Sequence, residues 1–402
     1  MNDSKDMRYA FWYVKNLNAK WYPRVALDLL YISLSVYAAD RLCLRKNAAD
    51  SWSRKIELYI PVLDKAVWEK SKDILEEMLS FLSGDSWRFK FYTRTESKVE
   101  IYAKNRRDNQ EKDDKKYNKV CMFSGGLDSF VGAIDLLENG EKPLFVSHYG
   151  GGKGTKEYQD CLIGDFIKQY AVDKDDFKQF YATILGGSEK TTRTRSFMFF
   201  SHAIALASTL SDPIELIIPE NGLISLNIPS TFSRIGSSST RTTHPFYMRK
   251  FQDLINNIGL NIVLKNPYQF KTKGEMLEEC QNLCFLKNNL ENTMSCSHPD
   301  VGRCRGESHT MHCGYCLPCV IRKAAIKRAN LEDNSVYYDL KCEKVKVAKI
   351  NLNSYKQGLK KYNKKYAFMT IQQNGPVLDN IQNYTDTYIR GIEEVKKYIE
   401  EI

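Results

Sequence analysis

The 402-residue chain has no apolar run long enough to cross a bilayer. Its longest stretches, Leu27 to Ala39 and Phe197 to Ala207, are broken by polar residues and fall short of the roughly 20 residues a spanning helix needs. A signal-like start is missing as well, because Met1 to Asp6 carries two acids and no apolar segment follows a basic one. A cytoplasmic protein with no membrane contact is the expectation. No internal repeat of about 20–50 residues is visible, and 43% apolar residues exclude a disordered or fibrous chain. A chain-wide basic field is also absent. Nine lysines against the single acid Glu343 give Lys341 to Tyr366 a local charge of +8, which leaves only +2 of the net +10 for the rest.

Along the chain the patterns change twice. Residues 1–103 mix an apolar helical run (Val25 to Leu42), an alternating stretch (Lys55 to Ile60), an amphipathic run (Val67 to Phe81) and the aromatic-basic alternation Trp87 to Tyr92, and so read as an N-terminal α+β domain. The stretch 104–119 carries eleven charges in sixteen positions and reads as a linker. Short apolar runs then alternate with helical ones. Strands are expected at Val120 to Phe123, Leu144 to His148, Phe180 to Leu185, Glu215 to Pro219 and Asn261 to Leu264, with helices near 128–139, 157–170, 195–210 and 245–258. Strict alternation implies an α/β fold with a doubly wound parallel sheet over 120–290, whose ligands sit at the carboxyl ends of the strands. A metal-binding segment (291–335) and a basic helical extension (336–402) follow, the latter ending in a helix from Thr385 to Ile402 with Thr385 as cap.

Two motifs carry chemistry. Ser124-Gly125-Gly126-Leu127-Asp128-Ser129 lies between an expected strand and an expected helix, where two glycines let backbone N–H groups converge on an anion and two hydroxyls add donors. That arrangement suits pyrophosphate. It lacks the Gly-Lys-Ser/Thr of one phosphate loop and the third glycine of the dinucleotide fingerprint. The second motif clusters Cys313, Cys316 and Cys319, a spacing that favours zinc in a cytosolic protein. A fourth ligand is required, and both Cys296 and Cys304 lie within reach along the chain.

Ser-Gly-Gly-Leu-Asp-Ser resembles the signature of the PP-loop ATP pyrophosphatases. Further segments resemble the 7-cyano-7-deazaguanine synthase type: Tyr149-Gly150, Arg195-Ser196-Phe197, Thr272-Lys273-Gly274-Glu275, Thr293-Met294-Ser295-Cys296 and Cys313 to Arg322. The resemblance covers about 120–330. It implies ATP binding by Ser124 to Ser129, with Mg²⁺ held through Asp128, and transition-state neutralisation by Lys273 and Arg195. It also favours Cys296 as the fourth zinc ligand. One family segment is replaced here by Pro219-Glu220-Asn221-Gly222 to Asn227 and by Ser237 to Pro245, so Tyr149, Glu220, Asn221, Asn227, Arg241 and His244 are the substrate-contact candidates, with a solvated loop as the plain alternative for the last two.

The additions at both ends are similar to those of synthase-like proteins encoded in bacterial antiphage operons of the Qat and type IV CBASS kinds. The resemblance implies an ATP-dependent amide-forming enzyme acting on a deazapurine carboxylic acid, with ammonia or a partner-protein amine from the same operon as acceptor. The N-terminal domain is expected to dock that partner, so that its removal spares adenylation but stops transfer, provided the core stays folded. Two rivals stand beside this: a tRNA-modifying enzyme using the lysine-rich tail, and a non-catalytic assembly subunit.

Overall fold

The computed structural model describes residues 6–14, 22–107, 117–150, 153–191, 193–210, 213–228 and 241–402. Before the charged segment come β1 (Met7–Tyr9), α1 (Arg24–Leu42), β2 (Lys55–Val62), α2 (Lys65–Ser83), β3 (Ser86–Thr93) and α3 (Lys98–Arg107). Strand and helix then alternate through β4 (Lys119–Met122), α4 (Leu127–Glu138), β5 (Pro143–Tyr149), α5 (Lys153–Gln169), β6 (Phe177–Ile184), α6 (Arg195–Ala207) and β7 (Ile214–Ile217), followed by α7 (Gly222–Leu226), α8 (Pro245–Asn257) and β8 (Ile262–Lys265). The remainder is helical: α9 (Lys273–Glu278), α10 (Leu283–Asn289), α11 (Leu317–Arg328), α12 (Lys346–Lys361), α13 (Ala367–Gln373) and α14 (Ile381–Ile399).

The central sheet has the order β1-β6-β5-β4-β7-β8, with β4 to β8 parallel and only the edge strand β1 antiparallel. Successive strand residues point to opposite faces. Val120 and Met122 accordingly join one core with side chains of α1, α6 and α8, whereas Cys121 and Phe123 join a second with α4, α5, α9 and α10. The order runs outward from β4 in both directions. That makes the carboxyl end of β4, between β5 and β7, the crevice where such sheets bind ligands.

The N-terminal region folds as a parallel β2-α2-β3 unit. Trp87, Phe89 and Phe91 are buried on one face with stacked rings, as their alternation predicts. This region packs into the main core instead of standing apart. Met7 of β1 pairs with Ile184 of β6, α1 lies on α6, α2 lies on α8, and Phe11, Leu30 and Trp68 share one cluster with Val120 and Phe197. Of the expected linker, residues 104–107 end α3 and 117–119 lead into β4, while 108–116 lie outside the described residues. The expectation that removing residues 1–103 spares adenylation carried the condition that the core stays folded, and the shared core works against that condition: deletion bares the apolar faces of α6 and α8. Chain expressed from residue 104 is expected to aggregate, as measured by size-exclusion recovery; a soluble, cooperatively melting product would count against the shared core.

The tail differs from expectation in one cap. The helix α14 starts four residues earlier than Thr385, after Asn380 in the left-handed region, and the Thr385 hydroxyl donates to Ile381 O at 2.8 Å inside the helix. All nine lysines of 341–366 are exposed. Tyr355, in contrast, is buried and donates to Tyr315 O at 3.2 Å, and Tyr362 packs on Tyr388, so these two tyrosines of the lysine-rich segment are anchors for the tail.

Candidate active site

The loop 124–129 turns at the carboxyl end of β4. Gly125 has φ +81° and faces Gln159 so closely that an added Cβ would stand 3.0 Å from its Cγ, which explains glycine there. Gln159 is fully buried and donates to Ser124 O and His148 O at 3.1 and 3.2 Å, tying the loop to β5. Ser124 and Ser129 share a hydroxyl hydrogen bond of 3.1 Å, and Gly126 N–H donates to Ser124 Oγ at 3.3 Å. From the other side Met294 N–H donates to Gly125 O at 2.8 Å, and Leu127 N–H to Ser295 Oγ at 3.2 Å. Ser295 and Gln159 are additions to the expected set. Ser295 lies in the quoted Thr293–Cys296 segment, whereas nothing local marked Gln159.

Asp128, on the first turn of α4, gathers the neighbouring strand ends. Lys273 Nζ lies 2.6 Å from Asp128 Oδ1, and Asn221 donates to Oδ2 from its side chain at 2.7 Å and from its backbone at 3.2 Å. Oδ2 thus takes both Asn221 donors, whereas Oδ1 is buried, accepts no hydrogen bond and faces only the Lys273 ammonium, so it is the oxygen left for the expected hold of Asp128 on Mg²⁺. Next to Asn221, the Glu220 carboxylate accepts the Thr243 hydroxyl, which also bonds Ser225 Oγ at 2.9 Å. Lys273, Asp128, Asn221 and Glu220 therefore form one cluster at the carboxyl ends of β4 and β7.

Burial pushes the Glu220 carboxyl up to about 7; the Thr243 hydroxyl and Lys273 pull it down, and Asp128 pushes it up. The folded group keeps its proton to higher pH than an unfolded glutamic acid, near 4.3. Its contribution is thus complete at acid pH and is lost as pH rises through about 7. Glu220→Gln, which still accepts the Thr243 hydroxyl, should melt with the wild type near pH 4.5 and above it at pH 8, by at most on the order of 3 kcal/mol. Calorimetry at the two pH values checks this; a pH-independent difference would sink it.

The other expected residues are spread more widely. Arg195 is exposed on the first turn of α6, where a cation opposes the helix dipole, so helix stability does not account for it. Together with burial it holds His148, at the end of β5, neutral well below the usual histidine range. The Tyr149 ring lies 5.3 Å from that of Tyr181, with Lys156 Nζ 5.5 Å above it. Asn227 closes α7 at φ +44°, and its carbonyl accepts from Asn374 Nδ2 at 3.0 Å. Arg241 stacks on Phe81 at 4.5 Å and donates to Phe81 O at 2.8 Å. His244 is fully buried as the cap of α8, its Nδ1 accepting from Phe246 N–H at 3.2 Å. Arg241 and His244 thus bind the end of α2, and among the described residues neither bonds the 124–129 loop. Of the Ser/Thr-rich segment, 237–240 lie outside the described residues.

Cys296, Cys313, Cys316 and Cys319 place their sulfurs within 4.8 Å of one another. A tetrahedron of about 2.3 Å zinc–sulfur bonds has edges of about 3.8 Å. Two edges here, Cys296–Cys316 and Cys313–Cys319, measure 3.9 Å. Backbone N–H groups of His298 and Cys313 donate to Cys296 Sγ and that of Cys316 to Cys313 Sγ, as suits thiolates. The four thiols fit one closed metal site, and Cys304 is exposed outside it. The site is joined to the loop: Arg322 of α11, fully buried, donates to Thr293 Oγ1 at 2.6 Å and Leu290 O at 2.8 Å, fixing the segment that runs from Met294 and Ser295 into Cys296.

No protein-family profile matches the chain. It is similar to curated proteins named 7-cyano-7-deazaguanine synthase. That of Methanococcus aeolicus is 27% identical over 245 residues, covering 54% of this chain and 98% of the relative. Those of Rickettsia felis (23% over 240 residues) and Prochlorococcus marinus strain NATL1A (26% over 234) cover 53% of this chain and 96% and 95% of themselves. Nearly the whole length of each relative is thus accounted for by about half of this chain. The likeness supports a synthase-like family and does not extend to an antiphage type. No described helix is long and apolar enough to cross a membrane.

Proposed function

We propose that the chain is an ATP-dependent enzyme that adenylates a deazapurine carboxylate of the 7-carboxy-7-deazaguanine class and transfers the acyl group to an amine. The observation that carries this is the glycine turn at the carboxyl end of β4 with Lys273, Asp128 and Asn221 gathered against it. The similarity to 7-cyano-7-deazaguanine synthases supports the substrate class. One carboxylate oxygen attacks the α-phosphorus and pyrophosphate leaves. The amine nitrogen then attacks the acyl carbon and loses a proton, and AMP departs with the oxygen. Adenylation is needed because a carboxylate is a poor electrophile at neutral pH. In this scheme the loop N–H groups and hydroxyls hold the departing pyrophosphate, and Lys273 and Arg195 offset the charge on the phosphates. Mg²⁺ supplies further charge neutralisation as the counter-ion that ATP carries, and zinc in the four-thiol site is structural, since four thiolates leave no open position. The two additions outside 120–330 support an antiphage type with a partner-protein amine as acceptor beside ammonia.

ATP–pyrophosphate exchange dependent on the deazapurine acid tests the first half-reaction, and intact mass of candidate acceptors tests the second. Exchange is expected with the acid and absent without it. If no exchange occurs with any deazapurine carboxylate, the proposal fails; if free amide or nitrile accumulates while no protein gains mass, ammonia is the acceptor.

A further inference from the structure

The regions before 120 and after 330 each send one buried carboxylate to a helix start that carries a cation the proposed function assigns to the phosphates. Asp40, near the end of α1, is fully buried, and its Oδ2 accepts the N–H of Arg193 (2.8 Å), the N–H of Thr194 (2.9 Å) and the Thr194 hydroxyl (2.9 Å). Thr194 is the cap of α6, yet its side chain accepts no N–H of that helix. Asp40 thus fixes the entry to α6 from another element. Its other oxygen is held by Arg54 at 2.5 Å, and Arg54 also bonds Asp85 at 2.6 Å, so the carboxylate cannot swing away. The residue after Thr194 is Arg195.

Glu394 of α14 repeats the arrangement at α9. Its carboxylate accepts the hydroxyl of Thr272, the cap of α9, and the N–H of Gly274 at 3.4 Å, with Arg328 paired to it from α11. A Cβ on Gly274 would stand 3.0 Å from both carboxylate oxygens, so this approach needs glycine. Lys273 lies between Thr272 and Gly274. A second tie from the same helix, Arg390 Nε to Glu275 at 2.6 Å, clamps the first turn of α9.

We propose that Asp40 and Glu394 are positioning residues, through which the two added regions set Arg195 and Lys273 for ATP. This rests on the adenylation reading above. Neither acid touches the phosphates; each acts through the turn it holds. Both oxygens of each acid accept donors, so an amide in its place turns an NH₂ against a donor whichever way it lies.

Double-mutant cycles test this. In folded, zinc-replete protein, Asp40→Asn and Glu394→Gln are each expected to lower kcat for ATP–pyrophosphate exchange about 10- to 100-fold. In the Arg195→Ala background Asp40→Asn should then change the rate less than about 2-fold, and Glu394→Gln likewise in Lys273→Met. Where a background turns over too slowly, ATP affinity by calorimetry supplies the same cycle. If either charge-removing variant does not fold, Thr194→Val and Thr272→Val, which delete one hydroxyl each, replace it and should show a few-fold loss with the same non-additivity. Losses that multiply across the cycle, or wild-type rates in folded variants, overturn the inference while leaving adenylation intact. A wild type that neither exchanges nor binds ATP overturns the adenylation reading and this inference with it.

Discussion

Cys316→Ser protein is expected to lose its metal and its solubility together. A closed four-thiolate zinc site in small domains contributes about 10–16 kcal/mol of binding energy to folding, as much as the whole stability of an ordinary domain. Here the site also closes a long loop, because Cys296 lies twenty residues before Cys316 along the chain. Release of Cys296 frees Ser295 and Met294, whose bonds to Leu127 N–H and Gly125 O brace the 124–129 loop. Metal loss should therefore reach the loop before the sheet melts. Gradual chelation ought to abolish ATP–pyrophosphate exchange at or ahead of the loss of cooperative unfolding, followed by metal analysis, exchange rate and calorimetry on the same samples. Metal-free protein with an unchanged melting temperature and full exchange would remove the site from both roles.

What could be read from the sequence is what depends on neighbours along the chain. The β4 to β8 strands and the helices between them follow apolar periodicity, and their observed bounds differ from the expected ones by a few residues. The glycine turn was legible because a phosphate loop needs strand, glycines and helix start in immediate succession. Lys273, Asn221 and Glu220 were drawn from segments far apart along the chain and meet because the strand order places β7 beside β4. Contacts of long separation left no local mark. Asp40 reaches Thr194 across 154 residues and Leu127 reaches Ser295 across 168. The same holds for the N-terminal region, whose alternation gave β2 and β3 but not their parallel pairing or their union with the main core. Arg241 and His244 are a further case: their loop of turn-forming residues gave no sign that both side chains reach Phe81 at the end of α2.

Lys273→Met is expected to lower ATP–pyrophosphate exchange about 10²- to 10³-fold and to cost about 1–3 kcal/mol of stability. The side chain is 6% exposed, and its ammonium faces Asp128 at 2.6 Å in a crevice walled by β4, β7 and α9. Removing it leaves Asp128 Oδ1 without its cation, since both Asn221 N–H groups go to Oδ2, although methionine keeps the volume of the lysine stem. What is lost, in the proposed reaction, is a positive charge at the point where negative charge gathers on the phosphates. A charge fixed in advance in a partly dry crevice is worth far more there than on the surface, because water cannot take its place without reorganising. Lys273→Arg should recover little, for a planar guanidinium cannot occupy the point that an ammonium fills beside Asp128. Exchange kinetics with saturating acid, paired with melting curves, separate the outcomes. Near-normal exchange in Lys273→Met would move the site of adenylation away from this cluster, and loss of cooperative folding would make Lys273 a fold residue instead.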